Sequence, residues 1–445
     1  MTKDKYLPDG PTKGQLPDGA VPHEDRPEGL HAGCECGEES VGFAEPFKRG
    51  FTRRTVLQGS TALAAALSMQ PLSARFAFAA PAAAPLQRVL INVIWRGGLD
   101  QHTWFPLLGN PDYARARPTI RETPQTAGIN LGRGIAALNE FGPLYTTLGA
   151  GGFGYVPAAV SQDRTHSHFD ATDLLEGGMN TPSSDGWAAR ALRNLPNPAV
   201  LSAIMVGGTL PKSLTGSSAL TLDRIESFGL NGGDEVKAKS ETVLQRFYGQ
   251  YKDPVATTAL ETLNAIKTVR NLGQREYQPA AQYPGGGLAD AFKTTAQLIK
   301  ARVGLRFVTI DQGGFDTHTN SRGLLHDHAA EANAAMTAFF QDLGQALRPY
   351  VTVVTSSEFG RTTGENGGAG TDHGHGQGMQ VVGGGSAGGV RGGTPMIRAS
   401  GRDNETSGTT DYRDVLTEAL TWLGVRNAAS VFPGHTFRPV GVFKK

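Results

Sequence analysis

The sequence predicts an α/β fold: a mainly parallel central sheet with helices on both faces and an inserted helical segment. Three observations point to it. Short apolar runs rich in β-branched residues recur along the chain, helical periodicity fills much of the sequence between them, and clusters of Asp, Glu and His follow the runs directly. Strands buried on both faces read as continuous apolar stretches, as parallel strands do.

The chain opens with residues 1–47, where ten acidic and four basic side chains accompany six prolines and few aliphatics, a composition that predicts disorder. Residues 48–79 read as a twin-arginine signal peptide. Arg53 and Arg54 precede an uncharged stretch, Thr55 to Ala74, in which Gly59 and Pro71 keep the core too weakly apolar for a membrane anchor. Ala77-Phe78-Ala79 is a small-x-small cleavage pattern. The expected partner is the twin-arginine translocase, which carries folded substrates. The expected location is periplasmic, cell-wall-associated or secreted, with no stable membrane span in the mature chain. Cys34 and Cys36, the only cysteines, lie ahead of the cleavage site, so disulfide and thiol chemistry are not expected beyond it. With 42 Lys and Arg against 41 Asp and Glu, nothing marks the chain for nucleic acid.

Residues 86–440 are read as one α/β domain. Arg88 to Trp95 is the first predicted strand, and it ends at Arg96-Gly97-Gly98. Tyr155 to Val160, Leu201 to Val206, Leu305 to Ile310 and Tyr350 to Thr355 are similar runs. Residues 234–272 are polar with helical periodicity and a break near Pro254, which predicts an inserted helical hairpin; the Pro/Gly-rich linker Pro279 to Gly287 follows. Ala329 to Leu347 places Met336, Phe339, Phe340, Leu343 and Leu347 at helical spacing, and Asp411 to Leu423 is a last amphipathic helix.

The chemistry gathers just after the strands. Asp100 and His102 follow the first. The second is followed by Arg164, His166, Ser167, His168 and Asp170, the fourth by Asp316 and His318, and the fifth by Glu358 and Arg361, then a glycine-rich loop to Asp372, His373 and His375. In a parallel sheet the carboxyl ends of all strands share one edge, where α/β proteins build their sites. Four separated segments thus bring Asp, Glu and His together, the ligand set of Zn²⁺, Mn²⁺ or Ca²⁺. A single Asp-x-His is more often a capped turn than a ligand pair; repetition at strand ends is what favours a metal. Arg164 and Arg361 are candidate clamps for a phosphate or sulfate, or loop-holding salt bridges. Ser167, between two histidines, is a candidate nucleophile or a turn former, and His168 is a further catalytic candidate. His326 and His328 read as solvated.

Trp95 to Asp100 (WRGGLD), Ser167 to Asp170 (SHFD), Gly313 to His318 (GGFDTH), Ser357 to Thr362 (SEFGRT), Gly370 to Gly376 (GTDHGHG) and Thr410 to Leu416 (TDYRDVL) occur in that order. Together they resemble a twin-arginine-exported bacterial family of unknown function placed in the alkaline phosphatase/sulfatase superfamily, over about residues 86–437. The resemblance implies an alkaline-phosphatase-like fold and a metal-dependent hydrolase of phosphate or sulfate esters, small-molecule or polymeric. By position, Asp100, Asp316, His318 and His373 resemble metal ligands, and Glu358 and Asp372 join them as candidates. Three departures stand out. Glu358-Phe359 replaces the superfamily's usual Asp-His, Asp-x-His at Asp316 is tighter than the usual spacing, and the mature chain offers no cysteine for a cysteine-type sulfatase. The alternative expectation is a non-catalytic secreted binding protein that keeps the fold and a structural metal.

Overall fold

The computed structural model describes residues 86–445 except 197, 227, 231, 275, 396 and 398–403. The acidic segment, the twin-arginine stretch and both cysteines lie outside the described residues. Among the described residues, no helix is long and apolar enough to cross a membrane.

The strands are β1 (Val89–Trp95), β2 (Ile129–Gly132), β3 (Ile135–Ala137), β4 (Phe153–Val160), β5 (Ala203–Val206), β6 (Leu220–Leu222), β7 (Phe307–Gln312), β8 (Val351–Ser356), β9 (Gln377–Gly383), β10 (Gly389–Val390) and β11 (Thr410–Asp411). One sheet runs in the order β10-β4-β9-β8-β1-β7-β5-β6, with β11 also pairing β4, while β2 and β3 form a separate hairpin. From β8 to β6 every pairing is parallel. Only β9 runs against its neighbours, β8 and β4. The carboxyl ends of β4, β8, β1 and β7 therefore share one edge, and β9 starts there.

The sheet is mainly parallel and covered on both faces. On one face Ile91, Val93, Ile310 and Val353 pack with Phe292 and Ile299 of helix Gly287–Lys300 and with Met336, Phe339 and Leu343 of helix Ser321–Leu347. On the other, Leu90, Phe307, Val354 and Val381 meet Trp187 of helix Trp187–Arg193 and Val415, Leu416 and Leu420 of helix Tyr412–Leu423. Alternation along each strand sends neighbouring side chains to opposite cores, so both must be apolar.

The segment read as a helical hairpin holds two helices, Asp234–Tyr248 and Pro254–Gly273. Asp253 caps the second through Ala256 N, with Pro254 at its first position. Leu244 and Tyr248 pack against Val255, Ala256, Ala259 and Leu260 to close the hairpin. The linker after it is tied down by buried Asp342, which accepts hydrogen bonds from Tyr277 Oη (2.5 Å), Tyr283 Oη (3.1 Å) and Ala280 N (2.5 Å) and pairs with Lys300.

Two expectations need correction. The helix expected from Ala329 begins at Ser321, because its first two turns are polar yet anchored. His326 and His328, both expected to be solvated, are only 20% and 15% exposed: His326 bridges Glu122 (3.1 Å) and Glu140 (2.6 Å), and His328 Nε2 lies 3.1 Å from the Gly314 carbonyl.

Candidate metal centre

Glycine lets the strand-end loops interpenetrate. Gly97 (φ +116°) sits so close to the loop after β7 that a Cβ there would lie 2.3 Å from Asp316 N, and a Cβ on Gly370 would lie 2.3 Å from the His318 carbonyl carbon. Such close approach gathers groups from five adjacent strands: His168 after β4, His373 before β9, Glu358 and Arg361 after β8, the Gly97 backbone after β1, and Asp316 and His318 after β7.

At the centre is the Asp316 carboxylate. His318 Nε2 lies 2.9 Å and His373 Nε2 3.2 Å from its Oδ1, the two nitrogens are 3.1 Å apart, and His168 Nε2 stands 3.6 Å from Oδ2. His168, Asp316 and His373 each present one ligand atom within 4.8 Å of the others.

The far side of every ring is held. His168 Nδ1 meets Glu358 Oε1 at 2.8 Å, His373 Nδ1 meets the His166 carbonyl at 2.8 Å, and His318 Nδ1 meets Asp372 Oδ1 at 3.1 Å. A backbone carbonyl and ionised carboxylates only accept, so in the neutral rings the proton sits on Nδ1 and the Nε2 lone pairs face inward. Metal-ligating histidines are held this way. Phe359 wedges the arrangement, its ring centroid 4.8 Å from those of both His168 and His373.

The residues fit a divalent metal. His168 Nε2 is buried with no hydrogen-bond partner, and the lone pairs of His318 and His373 confront each other and a carboxylate oxygen, with Arg361 Nη1 also 3.5 Å from His318 Nε2. Their separations approach the edge of a tetrahedron built on ~2.05 Å bonds, about 3.3 Å. Three imidazoles and one carboxylate suit Zn²⁺ or a similar borderline ion better than Ca²⁺, which prefers oxygen.

Protonation follows the same contacts. Asp316, with Glu358 behind it, pushes His168 up to about 9. Burial works against ionisation of Asp316, but His168, His373 and Arg361 hold its carboxyl far below the usual range. Burial opposes ionisation of Glu358 too, and hydrogen bonds from His168 and the Gly97 amide (2.7 Å) lower it.

Several expected site residues take other places. Asp100 is fully buried and caps the short helix Gln101–Trp104. Its oxygens are taken by Arg117 (2.6 and 2.9 Å), Thr103 Oγ1 (2.8 Å) and His102 N (3.0 Å), which leaves no lone pair turned to the cluster. Arg361 is not an open clamp: it is buried, donates to the carbonyls of Gly97, Gly98 (2.9 Å), Phe315 (3.2 Å) and Thr371 (3.1 Å), and grips Asp316. Ser167 caps helix His168–Gly177 through Asp170 N, so its hydroxyl is occupied as a helix cap. Arg164 is exposed on the loop after β4. Glu358 and Asp372 reach the imidazoles from behind rather than the centre.

His166 was not anticipated as part of the centre. Its backbone is left-handed (φ +58°), and its carbonyl, not its ring, serves His373. Asn366 is a second such residue, donating to Asp372 Oδ1 (3.0 Å) and the His318 carbonyl (2.9 Å). Nothing in the sequence marks either, since both act through loop geometry.

A protein family described as "Protein of unknown function (DUF1501)" matches residues 233–442, a span that holds Asp316, His318, Glu358, Arg361, Asp372 and His373 but not Asp100 or His168. No curated protein matches the chain in sequence. Among solved structures, the PsFucS1 sulfatase from Pseudoalteromonas sp. is similar at 10% identity over 87% of this chain and 77% of that one, with a TM-score of 0.33. Ps i-CgsB in complex with k-i-k-neocarrahexaose is similar at 11% identity over 79% of this chain and 75% of that one, with a TM-score of 0.32. At such values the likeness carries no argument about activity.

Proposed function

We propose that this chain is an exported, divalent-metal-dependent hydrolase of phosphate or sulfate esters, built on an alkaline phosphatase/sulfatase type of fold. One observation carries the reading: three imidazoles, each held at Nδ1 by an acceptor, turn Nε2 toward the Asp316 carboxylate. His168, Asp316, His318 and His373 are the holding residues. A divalent ion held by them would withdraw charge from an ester oxygen and lower the pKa of water. The chain's own share is orientation. Glu358, the His166 carbonyl and Asp372 fix the rings, Arg361 fixes Asp316 and ties four loop carbonyls, and Arg164 stands exposed on the adjoining loop to meet an anion. The attack is assigned to water, which fits a centre where, among the described residues, no serine, threonine or cysteine is hydrogen-bonded to the four holding side chains. The twin-arginine stretch supports metal loading and folding before export.

The same lack of a nucleophilic side chain, with Arg361 consumed structurally, favours a second reading: a binding protein whose metal is structural. Metal analysis of the exported protein, combined with nitrophenyl phosphate and sulfate hydrolysis, separates the two. Bound metal with turnover, both lost in Asp316→Ala, supports the hydrolase. Bound metal without turnover leaves the binding protein, and no bound metal removes both.

A further inference from the structure

Asp163, on the loop after β4, is 5% exposed, and its carboxylate gathers three donors from the residues two and three ahead of it. Oδ1 accepts from Thr165 N (3.1 Å) and Thr165 Oγ1 (2.8 Å), and Oδ2 accepts from His166 N (3.3 Å). Ser161 Oγ accepts from Asp163 N (3.2 Å) and Thr165 Oγ1 from Ser167 N (3.1 Å), so the turn is tied at both ends. The chain leaves it with His166 left-handed at φ +58°, a conformation that β-branched residues resist, and Ser167 then caps the helix that begins at His168. Two parts of the centre come from this one turn: the His166 carbonyl, 2.8 Å from His373 Nδ1, and the His168 ring, with Nε2 3.6 Å from Asp316 Oδ2. The His166 ring is engaged elsewhere. Its Nε2 lies 2.7 Å from Glu405 Oε1, at the distance but not in the direction of a hydrogen bond.

We infer that Asp163 is a positioning residue of the metal centre. By holding the His166 amide it fixes that residue in the left-handed conformation, which sets the carbonyl against His373 Nδ1 and starts the next helix with His168 facing Asp316. The inference rests on the proposed metal reading for what the imidazoles hold. A carbonyl only accepts, so it keeps the His373 proton on Nδ1 and leaves Nε2 to bind. Freed from Asp163, residue 166 returns to the backbone regions an L residue prefers, and His373 loses its outer partner. Such partners are worth about 10–100-fold in metal affinity.

The test is Zn²⁺ affinity of the full chain by competition with a chromogenic chelator, together with the d–d absorption of the Co²⁺-saturated protein. Asp163→Ala is expected to weaken Zn²⁺ about tenfold and to alter the Co²⁺ bands. His166→Val should do the same, whereas His166→Gly and His166→Asn, both at ease with positive φ, should keep affinity and spectrum. Because Asp163 acts through residue 166, Asp163→Ala combined with His166→Val should cost no more than the larger single effect. Asp342→Ala, in the clip around Tyr277 and Tyr283, supplies the control for lost stability alone: a lower melting temperature with the Co²⁺ bands unmoved. If His166→Gly is as damaging as His166→Val, the ring and Glu405 carry the effect and the inference is overturned. Zn²⁺ binding untouched by Asp163→Ala overturns it while leaving the metal reading in place, and an unsubstituted chain that binds no Zn²⁺ overturns both.

Discussion

Asp100 and Arg117 are both fully buried and satisfy each other through two hydrogen bonds. Burial works against the Asp100 charge, but Arg117 holds its carboxyl below the ordinary value. Removing one member strands the other, so Asp100→Ala is expected to cost about 3–5 kcal/mol of stability, read by denaturant unfolding, while the folded fraction keeps its metal-to-protein ratio. A loss of metal in proportion to Asp316→Ala would return Asp100 to the ligand set. The sequence could not separate these roles, because Asp100 stands at a strand end like the others and nothing distinguishes Arg117 from Arg115 two residues earlier. Asp316, His318 and His373 were legible because residue type and strand-end position coincide. His168 was legible as a site residue, but its place among the inward-facing imidazoles depends on Glu358, 190 residues away.

At the scale of elements, helix Ser321–Leu347 follows directly on the His318 loop, and its first turns are pinned by Glu122. That carboxylate accepts from Arg322 (2.9 and 3.0 Å), His326 Nε2 (3.1 Å) and Thr126 Oγ1 (2.6 Å). Burial raises Glu122, but His326 and Arg322 outweigh it and lower it from 4.5; the bond to Glu122, with help from Glu140, raises His326 from 6.5. The His326 contribution is complete below pH 6.5 and fades as pH climbs through the raised value; the Glu122 contribution is complete above pH 4.5 and fades as pH falls through the lowered one. The melting-temperature gap between the unsubstituted protein and His326→Gln should therefore be wide near pH 6 and narrow by pH 9. A gap that widens with pH would refute the clamp. The strands themselves were legible within two residues at β1, β4, β5, β7 and β8. β9 was not, because Gly378 and Gly383 and the glutamines at 377 and 380 break its apolar run. Its reversal of direction is set by the long loop before it, which no local pattern encodes.

For the whole molecule, the centre matters because its parts come from five adjacent strands and are far apart in sequence. Without metal, His168 near 9 carries a proton and its imidazolium faces Asp316 and Glu358, so this charge balance holds the edge together at neutral pH. His168 would give up that proton on holding an ion, and segments 161–168, 313–319 and 371–376 would then be tied to one point. The helical hairpin at 234–273 has a small core of its own, with Ala265 and Val269 also in the main one, and sends no side chain to that point. Ligand binding to the folded state alone adds about 2.7 kcal/mol at a hundredfold excess over Kd. Stripping the protein with a chelator should lower its melting temperature, and Zn²⁺ should restore it with proton release that grows as the buffer is made more acidic below pH 9. Hydrogen exchange should locate the gain, with protection rising in the three strand-end segments and unchanged in the hairpin. Equal protection with and without metal would mean that the imidazoles and Asp316 are held by Arg361 and their outer partners alone, and the centre would then be a polar knot rather than a metal site.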